Sequence, residues 1–129
     1  MRKDYGKVLG ELETQVMEII WQAKEPISVS EVVAVLSKKR DIAYTTVMTI
    51  MTRLIEKGLL KRTALGKAYV YKPIFSKDTF LTKVSQQIIK NLVSRFGDKA
   101  IAHFAQELDK VPEEKKAKLL QILKQAKNS

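Results

Sequence analysis

The chain has 129 residues, 45% of them hydrophobic, which suffices for one ordinary domain or two very small ones and excludes extensive disorder. Lys and Arg number 24 against 14 Asp and Glu, a net charge of +10 that draws the protein toward polyanions: nucleic acid, an anionic membrane surface or an acidic partner. With no Cys and one His, disulfides, thiolate zinc sites and a cysteine nucleophile are excluded, and neither a metal nor a cofactor is expected.

In chain order, the opening MRKDYGKVLGELE is charged and has no apolar core or cleavage-site pattern, so no secretory signal is expected. No apolar run approaches the roughly 20 residues that span a bilayer, and the expectation is a soluble, cytoplasmic protein off the membrane. Leu12, Val16, Met17, Ile19, Ile20 and Trp21 recur at helical spacing, predicting a first helix near residues 10–23, with Glu13 as an N3 acceptor for Gly10 and Pro26 closing the segment. Ser28-Val29-Ser30-Glu31 is a capping-box pattern, and Val29, Val32, Val33 and Leu36 follow on one face of a short second helix that runs into Lys38, Lys39 and Arg40. Tyr44 to Lys57, closed by Gly58, predicts a third helix. Leu59–Leu65 and Lys67–Lys72 meet across Gly66 as a β-hairpin. Pro73 marks a boundary, giving expected domains 1–73 and 74–129. A helix then starts at Ser76, Gly97-Asp98 interrupts it, and a short apolar segment from Ile101 to Leu108 precedes a last helix with Pro112 in its first turn.

The third helix carries the functional signal. On a wheel of 100° per residue, Val47, Ile50, Met51 and Leu54 cluster on one face, with Thr45, Thr49, Thr52, Arg53 and Glu56 opposite. Thr45, Thr46, Val47, Thr49, Ile50, Thr52 and Ile55 are all β-branched, which argues against a helix by up to about 0.7 kcal/mol per residue. A strand fits no better, because apolar residues at 47, 48, 50 and 51 do not alternate. Such a conflict between propensity and pattern is where a functional constraint is expected. A threonine methyl can meet the thymine methyl, its hydroxyl can bond a base edge or phosphate, and Arg53 can reach guanine or the backbone. The alternative is that exposed threonines only solvate a helix face.

Context favours the first reading. From Lys38 to Lys72, nine Lys and Arg face Asp41 and Glu56 alone, a local excess of +7. Three helices followed by a hairpin is the order of a winged helix-turn-helix, whose last helix enters the major groove while the hairpin tip lies on the backbone. The expected fold is therefore mostly α: a winged helix-turn-helix followed by a helical dimerisation region. The expected DNA-binding residues are Thr45, Thr46, Thr49, Thr52 and Arg53, with Lys38, Lys39, Arg40, Lys61, Arg62 and Lys67; for the last three the alternative is ordinary solvated strand charge.

The stretches LGELETQVMEIIW, AYTTVMTIMTRLIEKGLLKR and GKAYVYKP resemble the penicillinase-repressor (BlaI/MecI) family of bacterial winged-helix repressors, and the similarity runs more loosely through the C-terminal half. The resemblance implies a homodimer on a double-stranded operator with inverted TACA/TGTA-like half-sites, blocking transcription of antibiotic-resistance or envelope-stress genes. It also implies a membrane sensor protease that relieves repression by cutting an Asn-Phe bond. The matching pair here is His103-Phe104, and the missing Asn counts against that mode of inactivation. A copper-responsive branch of the family carries C-terminal Cys-x-Cys motifs, which a chain without Cys lacks.

The segment after Pro73 has only about 55 residues, too few for a self-sufficient core. Phe80, Leu81, Val84, Ile88, Leu92, Phe96, Ile101, Phe104, Leu108, Leu119, Leu120 and Leu123 would bury best against a second copy across a twofold axis. The alternative is a monomer whose last helices fold back onto the first domain.

An enzyme is not expected, for there is no glycine-rich phosphate loop, H-E-x-x-H, G-x-S-x-G or suitable carboxylate pair. The Lys-rich last helix opens with Glu113 and Glu114 and lacks aromatics, which fits a packed helix better than a membrane anchor. The remaining rival is a sequence-independent, architectural nucleic-acid binder held by charge alone.

Overall fold

In the computed structural model, which describes residues 9–128 and their side chains as far as 125, the elements are α1 Glu11–Gln22, α2 Val29–Leu36, α3 Tyr44–Glu56, β1 Leu60–Leu65, β2 Ala68–Pro73, α4 Lys77–Phe96, α5 Asp98–Asp109 and α6 Glu113–Asn128. The chain divides into two compact units, Met1–Ile88 and Ile89–Ser129.

Helix α1 buries Val16, Met17 and Ile20, the inner stripe its spacing predicts. Its start differs from expectation. Gly10 receives no side-chain cap; instead Glu13 Oε2 accepts from Lys57 Nζ at 2.6 Å, with the two side chains only 17% and 26% exposed. An ammonium at the far end of α3 is a stronger partner for a half-buried carboxylate than a neutral N–H that water can serve. Helix α2 opens with the full capping box: Ser28 Oγ accepts from Glu31 N–H at 3.2 Å, and Glu31 Oε1 accepts from Ser28 N–H at 3.2 Å.

In α3, Val47, Ile50, Met51 and Leu54 are buried. The helix ends in a Schellman motif: Gly58 takes φ 82°, its N–H reaches Ile55 O at 2.9 Å, and Leu59 N–H reaches Leu54 O at 2.9 Å. The hairpin pairs Leu60 with Pro73 through Leu65 with Ala68. Gly66, at φ 65°, occupies the first central turn position, where a type II′ turn needs a positive φ. An unpredicted bridge extends the sheet, as Ile27 and Tyr71 exchange N–H···O bonds of 2.9 and 2.8 Å.

The core of the first unit joins these stripes to Val29, Val32, Leu36, Leu59, Leu60 and Tyr71, and it continues past Pro73. Trp21 donates its indole N–H to Phe75 O at 3.0 Å and meets the Phe80 ring in a tilted contact at 5.2 Å between centroids, while Lys77 pairs with Glu18 at 2.7 Å. Phe80, expected on a dimer face, is therefore a core residue of the first unit, 5% exposed, and Val84 packs partly onto the same core. Ile74 N–H bonds to Leu59 O at 3.0 Å, which holds the start of α4 close to the hairpin.

In the second unit, Gly97 turns the chain at φ 80°. The segment expected as a short apolar stretch is the full helix α5, and Pro112 precedes α6 rather than entering its first turn, its carbonyl accepting from Lys116 N–H at 3.0 Å. No side chain from residue 89 to 125 is buried.

Placing Phe80 in the core of one chain has a measurable consequence. Phe80→Ala is expected to destabilise the protein in urea by about 3 kcal/mol while leaving its oligomeric state in light scattering unchanged. Loss of self-association with undiminished stability would return Phe80 to an intermolecular face.

Candidate nucleic-acid interface

The buried stripe of α3 fixes what the helix presents to solvent. Thr45, Thr46, Thr49 and Arg53 are exposed and Thr52 is half-buried. Thr45, Thr49, Thr52 and Arg53 line one shallow depression of about 440 Å³ together with Met48 and Glu56. A second, of about 500 Å³, lies where the start of α1 meets α3 and brings Thr46, Thr49 and Arg53 beside Glu11 and Glu13. Arg53 makes no ion pair with any described residue. Thr49 Oγ1 donates to Thr45 O at 2.9 Å, so its hydroxyl proton is already used within the helix.

On the hairpin, Lys61, Arg62 and Lys67 are exposed, with Lys67 in the turn itself. The Arg62 guanidinium lies 4.3 Å above the Tyr69 ring, a cation–π contact that stiffens a long side chain in place. Lys61 stands directly opposite Lys72 across the strands, and neither pairs with an acid among the described residues. Like charges directly opposed destabilise a hairpin unless an anion neutralises them. In the sequence Lys72 stands out only as one of nine cations; strand register is the signal that singles it out.

The basic run after α2 is placed differently. Arg40 donates to Gln15 on α1 at 3.2 Å, and Lys39 borders a separate depression with Thr14, Gln15 and Glu18. Lys38 is exposed. Lys57, part of the local positive excess, is bound to Glu13. Two apolar side chains of α3 that composition assigns to a core, Tyr44 and Met48, are 48% and 42% exposed. On the helical wheel Met48 stands 100° from Val47, at the edge of the buried stripe, which is the signal that places it outside.

Of the residues expected at a dimer interface, Leu81, Ile88, Phe96, Phe104, Leu108, Leu119, Leu120 and Leu123 are exposed, while Leu92 and Ile101 are half-buried. Leu108, Leu119, Leu120, Ile122 and Leu123 line an apolar groove of about 570 Å³ between α5 and α6, with Asp109 and Lys116 at its edge. His103 and Phe104 lie exposed within α5. Among the described residues no cluster of three His, Asp or Glu could hold a metal, and no helix is long and apolar enough to cross a membrane.

Residues 9–125 match the family described as penicillinase repressor. The transcriptional regulator BlaI of Mycobacterium tuberculosis is 43% identical over 70 residues, 54% of this chain and 51% of that protein, so the chain spans about half the length of that relative. The penicillinase repressor of Bacillus licheniformis is 28% identical over 120 residues, 93% of this chain and 92% of that one. Among solved structures, the DNA-binding domain of the repressor BlaI aligns at 32% identity with a TM-score of 0.51, covering 59% of this chain and 90% of that one. A transcriptional regulator of Thermotoga maritima, 20% identical, shares the fold with a TM-score of 0.51 over 97% of this chain and 82% of its own.

The opposed lysines yield a test in two conditions. Without nucleic acid, Lys72→Ala is expected to raise the urea midpoint slightly at low salt, a gain that vanishes near about 0.5 M salt. With duplex DNA, Lys72→Ala and Lys67→Ala should each weaken all sequences about equally and reduce the salt slope by roughly one. A salt slope unchanged by both substitutions would remove the hairpin from the interface.

Proposed function

Because the chain belongs to the penicillinase repressor family, we propose that it is a sequence-specific DNA-binding repressor that blocks transcription as a homodimer on an inverted repeat. The observation that carries this reading is the two-sided character of α3: Val47, Ile50, Met51 and Leu54 are locked in the core, and the opposite side offers threonines and Arg53, which has no ion pair among the described residues. Those groups suit base edges in a major groove. Lys61, Lys67 and Lys72, which have no acid partner among the described residues, supply the phosphate attraction that holds such a helix in register.

Residues 1–73 act as the reader in this proposal, with the first turns of α4 completing its core, and 74–129 as the dimerisation region. The second unit exposes Phe96, Phe104, Leu108, Leu119, Leu120 and Leu123 and buries no side chain from 89 to 125. A chain folded on its own leaves such apolar area in water; a second copy covers it. A twofold dimer carries two α3 helices, which sets the half-sites about one turn of DNA apart. The half-sites are TACA/TGTA-like, and the controlled genes belong to antibiotic resistance or envelope stress. A sensor protease that cuts an Asn-Phe bond is a poor fit as partner, since it would meet His103-Phe104 within a helix rather than in an extended strand.

A binder held by charge alone would crowd cations onto the face that meets DNA. The outer side of α3 instead carries Arg53 among threonines, which favours reading of sequence.

Selection from a random duplex library tests the proposal. The full-length chain should enrich an inverted repeat and bind it at least about a thousandfold more tightly than random duplex. Arg53→Ala, or Thr46→Ala with Thr49→Ala, should relax that preference, and light scattering should give a dimer at micromolar concentration. Enrichment of no sequence, or a monomer at that concentration, would refute it.

A further inference from the structure

We infer that Met48 reads thymine through its C5 methyl group, so that α3 recognises its site in part by apolar contact rather than by hydrogen bonds alone; the inference rests on the proposed entry of α3 into DNA. Met48 is 42% exposed near the middle of α3, among the residues that face water. It lines the same depression as Thr45, Thr49 and Thr52, with Arg53 and Glu56 alongside. Thr49 has given its hydroxyl proton to the Thr45 carbonyl at 2.9 Å, so it offers a base its methyl and oxygen lone pairs rather than a donor.

A thioether donates no hydrogen bond and accepts only weakly, so it cannot follow the donor and acceptor code that Arg, Asn or Gln follow in the major groove. What it offers is a flexible, polarizable apolar tip that moulds to irregular surface. The thymine methyl is the apolar group of the major-groove edge. An exposed methionine that shares its depression with three threonines suits that methyl better than any donor or acceptor of a base pair. The positively charged Arg53 remains available for guanine or phosphate beside it.

Uracil differs from thymine only by that methyl and keeps every hydrogen-bonding group of the pair. The test therefore uses the duplex that the full-length chain enriches from a random library, made with uracil in place of thymine at one position at a time. At one or two thymines of each half-site, uracil is expected to weaken binding roughly three- to fivefold, the equilibrium worth of burying one methyl group. Met48→Ala should bind the thymine and uracil forms of those positions equally, and Met48→Leu should keep the discrimination. Melting by circular dichroism should be the same for all three proteins, since Met48 supports no core. Uracil without effect at every position, or discrimination unchanged in Met48→Ala, overturns the inference and leaves sequence-specific binding standing. Enrichment of no sequence at all overturns both, because α3 then reads no base.

Discussion

The fold and the proposed recognition both depend on one constraint, the burial of Val47, Ile50, Met51 and Leu54 along a single stripe of α3. The segment is rich in β-branched residues whose helix penalty is at most about 0.7 kcal/mol each. Full burial of an aliphatic side chain is worth about 2 kcal/mol, so the four together outweigh the penalty. Tertiary packing thus imposes a helix that local preference resists, and the helical period then sends Thr45, Thr49 and Arg53 outward. Gly58 stops the helix with its two terminal carbonyls satisfied, and Leu59 enters the core at once, which fixes where the hairpin begins relative to α3.

Charge is partitioned around that frame rather than spread evenly. Lys57 is held by Glu13, Lys77 by Glu18, and Arg40 by Gln15, so these side chains join the helices of the first unit to one another. Arg53, Lys61, Lys67 and Lys72 have no such partner among the described residues. Unpaired positive charge therefore sits on α3 and the hairpin, beside the threonines, while Lys38 and Lys39 at the end of α2 are also exposed and without an acid partner among the described residues. Hairpin lysines set against each other are a cost in a protein on its own at low salt.

Much of this was legible in the sequence because it is local. The Ser28–Glu31 capping box, the glycines at 58 and 66 and the wheel of α3 each involve residues a few positions apart, and each formed as its spacing predicts. What was not legible is long-range. The bridge between Ile27 and Tyr71 is a single residue pair with no periodicity to announce it. Glu13 has an acceptor role at hand in its own helix, and its preference for Lys57 follows only from the approach of α1 to α3. Phe80 has the spacing of an exposed amphipathic face and is taken into the first core by the Trp21 ring. Met48, which the sequence pattern assigns to neither face of α3, is 42% exposed at the edge of the buried stripe.

The most direct measurement is a titration of the isotopically labelled full-length chain with its selected duplex, followed by amide chemical shifts. The account predicts that the largest changes fall on residues 44–53 and 61–72, while Thr14, Glu18 and Val35, on the far faces of α1 and α2, stay in place. Changes centred on residues 38–40 or on the second unit, with α3 undisturbed, would contradict it.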